Sequence, residues 1–372
     1  MSRIRMPESE PLQARPGLSN EPPWTVETFR GSNAELQSFV VDTWSDAYRG
    51  KMTFPVWSPE YFDWQFQRGL NEPDRRLAIY DDDSPVAVLL GTRSPFQVGS
   101  QTIRGAHWSW LSIARSHRGL GLAKILDSAR VSLEQSAESD LIVSYRFTGS
   151  SHSLAERPSN RFPLKQFARR AGFWARPLDG ALLRRWNPDR VEGMLSQILV
   201  PILPRITKSP TDAAIRPMEP ADLNDCQKAT RSQFANCGLR IHWTEESLSH
   251  QLLRSSVSQT LVAETHGVVR GFINYHILPF QGVTTEPVAI IDLMCISQLS
   301  RHLQISFLRS ALSTMRDQGA ILVLKIRTGD SAAHPLLRNG FIPRLADSSI
   351  VLQWTRSKLP VSTRHPVHLL WR

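Results

Sequence analysis

The sequence predicts an α/β (α+β) protein made of two tandem copies of one domain, each a mixed, mainly antiparallel sheet flanked by helices. Three observations predict it. A chain of 372 residues is too long for one ordinary core, which points to two domains of fewer than ~200 residues each. The stretch from His107 to Ala123 reads as a strand, a tight glycine turn and the start of a helix. The order of strand and helix signals in the first half recurs in the second.

The elements follow in chain order. Residues 1–23 carry Pro7, Pro11, Pro16, Pro22 and Pro23 with few large apolar side chains, so they are expected as a disordered tail. A strand is expected at Thr25 to Phe29. A helix capped by Ser32 or Asn33 should run to Tyr48, with Leu36, Phe39, Val40, Thr43 and Trp44 on its inner face. Ser58-Pro59, a cap followed by proline at the first helical position, opens a second helix. Leu77 to Tyr80 and Val86 to Gly91 flank the turn Asp81 to Pro85 as a hairpin. The long strand Ala106 to Ile113 comes next, then a helix to Ala137, a strand Leu141 to Phe147, a polar loop at 148–161 and a short helix Phe162 to Ala171 ended by Gly172-Phe173. This first domain spans 24–187. Residues 188–212, with Pro188, Pro201, Pro204 and Pro210, form the linker, with a short helix at Val191 to Leu199.

The second domain, 213–356, repeats that order. Ile215-Arg216-Pro217 before Ala221-Asp222-Leu223 echoes Phe29-Arg30 before Ala34-Glu35-Leu36, and Trp243 to Leu248 echoes Trp57 to Phe62. Thr260 to Glu264 and Gly271 to Leu278 form a hairpin, Val288 to Ile296 a long strand, Leu303 to Met315 a helix and Ile321 to Arg327 a strand. Asn339-Gly340-Phe341 matches Ala171-Gly172-Phe173. Residues 357–372 remain as a basic tail.

Composition bounds the function classes. Lys and Arg number 44 against 34 Asp and Glu, a net charge of +10. That excess suits anionic ligands in general: an acidic substrate, a phosphate, a membrane surface or nucleic acid. The basic residues are scattered, with short runs only at Arg169-Arg170 and Arg184-Arg185. They read as a solvated face, so nucleic acid is not an expected partner. Cys226, Cys237 and Cys295 are odd in number and lack metal-ligand spacing, which reads as free thiols in a reducing compartment with no metal. No run of about 18 apolar residues occurs, and the start of the sequence lacks an apolar signal core. The expectation is a cytoplasmic protein with no membrane span.

The turn carries the chemistry. Leu122, Ile125, Leu126, Ala129 and Leu133 lie on one helical face. Gly119 and Gly121 remove two side chains where the first amides of that helix are unpaired, and Arg118 adds a positive charge beside them. Such a helix start holds a phosphate. After Ile296 the second copy reads Ser297-Gln298-Leu299-Ser300-Arg301-His302, without a glycine, so no phosphate cradle is expected there.

Arg118-x-x-Gly121-x-Ala123 resembles the pyrophosphate loop of the GNAT superfamily, acyltransferases that use acetyl-CoA or another acyl-CoA, and the element order is similar to theirs over residues 24–187. The tandem arrangement, two GNAT-like domains of which the second is degenerate, looks like that of the N-myristoyltransferases. Three segments carry this closer resemblance: Trp57 to Trp64, Trp110 to Ile113, and Ile215 to Glu219. It implies that Arg118, Gly119, Leu120, Gly121, Leu122 and Ala123 bind the CoA phosphates. Trp110 and Leu111 would offer amides to the thioester oxygen, and Leu111, Ser112 and Ile113 would pair the pantetheine arm. A backbone donor aimed at an oxyanion contributes roughly 2.7–4 kcal/mol. His107 stands where a basic carboxylate is common in the superfamily, and its ordinary pKa near ~6.5 suits proton removal at neutral pH; a hydrogen-bonded structural histidine is the other reading. Ser109 is on the same face and could orient a water. The usual tyrosine acid is replaced by Ala168, with Tyr145 the nearest alternative. The N-myristoyltransferases bury an apolar tail ending in a working carboxylate, whereas this chain reads Pro366-Val367-His368-Leu369-Leu370-Trp371-Arg372.

The implied function is an acyl-CoA-dependent N-acyltransferase, with acetyl the expected donor, acting on a small-molecule or protein amine. A long-chain N-acyltransferase and a non-catalytic CoA-binding module are the alternatives. An aminoacyl-tRNA-dependent transferase fits less well, because the 118–123 loop suits CoA.

Overall fold

The computed structural model describes residues 24–66, 73–147, 165–206, 213–253, 256–344, 348–361 and 365–372. Its first elements are β1 (Val26–Thr28), α1 (Asn33–Tyr48), β2 (Phe54–Pro55), α2 (Pro59–Gln65), β3 (Arg76–Asp81), β4 (Ser84–Arg93), β5 (Phe96–Val98), β6 (Gln101–Ile103), β7 (Gly105–Ile113), α3 (Leu122–Ser136), β8 (Leu141–Phe147), β9 (Lys165–Pro177), α4 (Gly180–Trp186) and α5 (Arg190–Leu199). The remainder comprises β10 (Ala214–Pro217), α6 (Leu223–Gln233), β11 (Leu239–Ile241), α7 (Glu245–Leu253), β12 (Ser258–Thr265), β13 (Val268–Gln281), β14 (Thr285–Cys295), α8 (Arg301–Asp317), β15 (Leu322–Arg327), α9 (Ala333–Arg338), β16 (Ile342–Pro343), β17 (Ser348–Trp354) and β18 (Val367–His368). The tail 1–23, the loop 148–161 and residues 162–164 of the expected helix lie outside the described residues.

Local chemistry sets the helix starts. Ser32 accepts from the Glu35 amide while the Glu35 carboxylate takes the Ser32 amide, a reciprocal cap. Ser58 accepts from the Tyr61 amide, ahead of Pro59 at the first helical position. In the second half Thr244 Oγ1 accepts from the Ser247 amide at 3.1 Å, the counterpart of the Ser58 cap.

One long sheet runs through the molecule in the order β1-β3-β4-β7-β8-β17-β9-β15-β14-β13-β12-β10. The pairs β7–β8 and β14–β15 are parallel; the other neighbours on this path are antiparallel. Read from its two ends, the order is the same motif twice, with one exchange. β9, from the first half of the sequence, lies beside β15 of the second, while β17, from the second half, lies beside β8 of the first. The sequence segments 24–187 and 213–356 therefore do not coincide with the two halves of the sheet.

β9 corrects the expected helix at Phe162 to Ala171. Its described part, from Lys165, is strand, paired with β17 over residues 165–171 and with β15 over residues 172–177. Pairing with β17 outweighs the helix preference of residues such as Lys165, Gln166 and Ala168, since local propensity is a weak prior. Gly172 sits within that strand, whereas Gly340, at φ +78°, follows the end of α9. The match between the two Gly-Phe segments is thus one of letters.

A smaller sheet, β18-β11-β5-β6, joins the halves a second time. β18 shows that residues 365–372 are not an exposed tail. The Val367 amide donates to Thr328 O at 3.1 Å, just past β15. His368, fully buried, stacks on Phe234 with ring centroids 3.5 Å apart. Its Nδ1 contacts Asp330 at 3.1 Å, and Lys325 approaches the same carboxylate at 3.0 Å. Trp371 packs against Phe173 and Phe280. The Arg372 guanidinium reaches Asp292 on β14 at 2.8 Å, with both side chains buried. Burial would raise the Asp292 pKa, but Arg372 and His276 outweigh it and hold the group ionised.

Removing one member of a buried pair strands the other charge, at a cost of roughly 3–5 kcal/mol. Arg372→Met should lower the unfolding free energy by about that much in a urea titration. Adding Asp292→Asn should restore part of it.

Candidate functional site

The sheet opens at the end of β7. Its pairing with β8 stops at Trp108↔Ser144, while β7 continues to Ile113. On the other edge the register against β4 shifts between Val88 and Leu90, so Trp110 and Leu111 together face Leu89. This is a β-bulge, and it re-aims the strand. Trp110 takes φ +51°, a conformation that costs a non-glycine residue about 1–3 kcal/mol. An aromatic cluster holds it there: its buried indole meets Trp57, Phe62 and Phe66 with centroids 5.5 to 6.3 Å away. Leu111, next to it, is exposed. Ser112 Oγ accepts from Trp44 Nε1 of α1 at 3.0 Å.

Beyond β7, after a 3-10 turn at Arg115–His117, comes the glycine turn. Gly119 and Gly121 have φ +86° and +80°, and Gly121 is the residue before α3. An added Cβ at either would meet nothing within 4 Å, so these glycines serve the backbone conformation and leave open space above it. Among the described residues no acceptor pairs with the amides of Gly119, Leu120, Gly121, Leu122 or Ala123. The result is a row of unpaired donors at a helix N-terminus. Arg118 does not face this cradle as a free charge. Its guanidinium donates to Ile113 O at 3.2 Å and Thr43 O at 3.3 Å and lies 3.1 Å from Asp46, tying the loop to β7 and α1. α3 is fixed beneath by buried Glu134, which accepts from Trp108 Nε1 at 2.9 Å and pairs with Arg75 at 2.8 Å.

The structure brings Ser109, Trp110, Leu111, Ser112 and Ile113 to the opening and Gly119 to Ala123 to the cradle. It does not bring His107. That side chain is buried, its ring edge-on to Tyr145 at 5.2 Å, and its Nε2 has no partner among the described residues. Burial, helped by the Arg372 charge, pushes its pKa down to about 3. This burial and the unpartnered Nε2 fit the structural reading of His107 better than the role of a base. Tyr145 is also occupied: its hydroxyl donates to Leu370 O at 2.9 Å, and burial raises its pKa further. Ala168 lies in β9.

Sequence reasoning missed the residues that close the site. Ser109 Oγ donates to the main-chain oxygen of Arg372 at 2.6 Å, across 263 positions of sequence. Tyr61 of α2, buried, feels the Arg372 charge from the other side. No local spacing connects these residues. The available signal was the apolar Leu369-Leu370-Trp371 inside an otherwise basic end.

The matching opening in the second half is filled. β14 and β15 part after Ile291↔Lys325. Residues 367–372 run from Thr328, just past β15, to Asp292 on β14. The turn there is held by side chains: Gln233 Oε1 accepts from Ile296 and Ser297 at 3.2 and 3.0 Å, and Ser300 Oγ caps α8 by accepting from Leu303 at 3.3 Å. Among the described residues no group of His, Cys, Asp and Glu could hold a metal.

No family model and no curated protein matches this sequence. Solved structures do. A crystal structure of Saccharomyces cerevisiae N-myristoyltransferase with bound myristoyl-CoA superposes with a TM-score of 0.73 at 14% identity, covering 95% of this chain and 92% of that one. A second, also with myristoyl-CoA, gives 0.74 at 12% identity over 96% and 87%. A third, with myristoyl-CoA and inhibitors, gives 0.70 at 12% identity over 90% and 82%. The fold is that of N-myristoyltransferase. At this identity the likeness is one of fold, the tandem GNAT-type arrangement.

The His107 environment makes a pH prediction. Between about pH 6.5 and 3 the unfolded chain binds a proton at this residue and the folded chain does not, so stability rises with pH across that window. His107→Phe should flatten that part of the stability profile, measured by denaturant titration at several pH values, and should leave the profile above pH 7 unchanged in shape.

Proposed function

We propose that the protein is an acyl-CoA-dependent N-acyltransferase whose donor site lies wholly in the first half of the sheet. The observation that carries this reading is the continuity of the β7 bulge with the open cradle of unpaired amides at Gly119 to Ala123, when the corresponding space in the second half is filled by the chain's own residues 367–372.

In this reading the CoA pyrophosphate sits on the cradle amides, where the α3 dipole favours negative charge. The pantetheine arm pairs along Ser112 and Ile113, on the edge of β7 that β8 leaves free. The thioester carbonyl meets the bulge amides of Trp110 and Leu111. The amine nitrogen attacks the carbonyl carbon, the new C–N bond forms, the C–S bond breaks, and CoA departs as thiolate. Ser109 and the Arg372 oxygen that it holds present polar atoms beside the bulge, and these orient the amine through its N–H. His107 takes no part in the proton transfer. The amine therefore reacts in its neutral form and its extra proton passes to solvent. A thiolate leaves without help from an acid, which accommodates Ala168 and the engaged hydroxyl of Tyr145.

The likeness to proteins that bind myristoyl-CoA supports a long-chain acyl donor in place of the acetyl group expected from sequence. The acceptor is a small-molecule or protein amine. A CoA-binding module without turnover is the second reading, and the burial of His107 favours it.

Calorimetry with acetyl-CoA and myristoyl-CoA, followed by release of free thiol in the presence of candidate amines, tests both. Gly121→Val should abolish acyl-CoA binding, because a β-branched residue resists φ +80°, with a modest fall in melting temperature and the fold retained by circular dichroism. Unchanged affinity would remove the cradle from the mechanism. Where turnover is found, its rate should rise with pH through the ionisation of the acceptor amine and show no inflection near pH 6.5, the reference value for histidine of about 6.5.

A further inference from the structure

α5 is an amphipathic helix packed the wrong way round for a soluble core. Val191, Met194, Leu195 and Ile198 recur at helical spacing and are 49 to 62% exposed, and Ile202 just beyond is 74% exposed. The buried face is Gly193, whose missing side chain lets the helix lie on the Arg184 backbone of α4: an added Cβ would come to 3.1 Å from Arg184 O. In a globular protein the apolar stripe of a surface helix faces inward; a contiguous stripe facing water marks a contact surface.

The charge around the stripe selects among contacts. Arg190 opens the helix, at the rim of the stripe by helical geometry, and Arg184, Arg185 and Arg205 are exposed nearby in the chain. The two acids of the segment are engaged: Asp189 caps α5, and Glu192 pairs with Arg344. Behind the linker lies a cleft of about 580 Å³ lined in part by Arg176, Arg205 and Arg316. Arg176 is buried and its guanidinium donates to Pro177 O and Pro204 O at 2.7 Å each, so the charge that the cleft exposes comes from Arg205 and Arg316. Apolar side chains bordered by arginines, beside an arginine-lined cleft, suit an interface with acyl chains below and anionic headgroups above.

We infer that α5 and Ile202 form a membrane-docking face that lays the protein on an anionic bilayer surface, with the arginines contacting lipid phosphates. No span is involved; no helix among the described residues is long and apolar enough to cross a membrane. The inference stands on α5 and its surroundings and is independent of the acyl-transfer reading.

Co-sedimentation of the full chain with vesicles of phosphatidylcholine alone, or mixed with phosphatidylserine, tests it. The wild type should pellet with the phosphatidylserine vesicles and dissociate as salt is added. Met194→Glu with Ile198→Glu should keep the protein in the supernatant, with circular dichroism and acyl-CoA affinity unchanged. Arg190→Gln and Arg205→Gln, which spare the stripe, should each weaken vesicle binding roughly five-fold. Wild-type protein left in the supernatant with both vesicles overturns the inference, as does equal pelleting of wild type and the double Glu variant. A wild-type dimer in sedimentation equilibrium that the Glu substitutions dissociate, without vesicle binding, assigns the face to a second copy and overturns it too.

Discussion

The buried pair Arg372–Asp292 is the contact on which the rest of the molecule depends. Asp292 lies where β13 and β14 slip register, between Leu293 and Ile291, so it is the residue that the bulge turns out of the ladder. His276 Nδ1 and Gln251 Nε2 both reach Asp292 Oδ2, at 3.0 Å each. An ion pair this deep recovers its desolvation cost only when its geometry is good and its remaining polar atoms are satisfied. Here the cation arrives with a segment attached. Whatever fixes Arg372 also fixes Leu370 beside Tyr145 and the main-chain oxygen beside Ser109. Charge satisfaction in the second half thereby sets the polar wall of the opening in the first.

The two halves share a fold and differ in where their amides point. Both long strands, β7 and β14, bulge and part from their parallel neighbours. In the first half the strand runs on into a glycine turn whose donors stay unpaired. In the second, the turn before α8 lacks glycine, Gln233 holds the amides of Ile296 and Ser297, and residues 367–372 fill the gap. A pseudo-symmetric sheet thus has one opening beside a glycine turn and one internal socket.

The legible parts of the sequence were those whose cause is local. The caps at Ser32 and Ser58 and the glycine turn before α3 rest on contacts and backbone preferences within a few residues, and the strand Leu141 to Phe147 announces itself by its own composition. The second-half repeat was readable because the same local causes recur in the same order. The exchange of β9 and β17 was not, because either strand would satisfy either edge and nothing in its own composition names the partner. β5, β6, β11 and β18 are two or three residues long, too short to carry a period. At the site, the glycine cradle was visible and the environment of His107 was not. A histidine one residue from a tryptophan in a strand reads the same whether it faces a ligand or a core; the burial that drives its pKa down comes from Tyr145 and from the Arg372 charge, both distant in sequence.

A site without a titrating base still has a route to selectivity. In the acyl-transfer reading, with His107 buried and Tyr145 engaged, the opening around Trp110 would present backbone amides to an acyl thioester and the Ser109 hydroxyl with the Arg372 oxygen to an amine, none of which titrates near neutral pH. Rate would then depend on how well the bulge amides are aimed, which is preorganisation. The strained φ of Trp110 is part of that aim, and the rings of Trp57, Phe62 and Phe66 keep it from relaxing. Those rings belong to α2 and the segment ahead of it, Tyr61 of the same helix faces Arg372, and Arg372 closes back on Ser109. The donor opening is therefore held on one side by aromatic packing of the first half and on the other by a charge whose partner lies in the second.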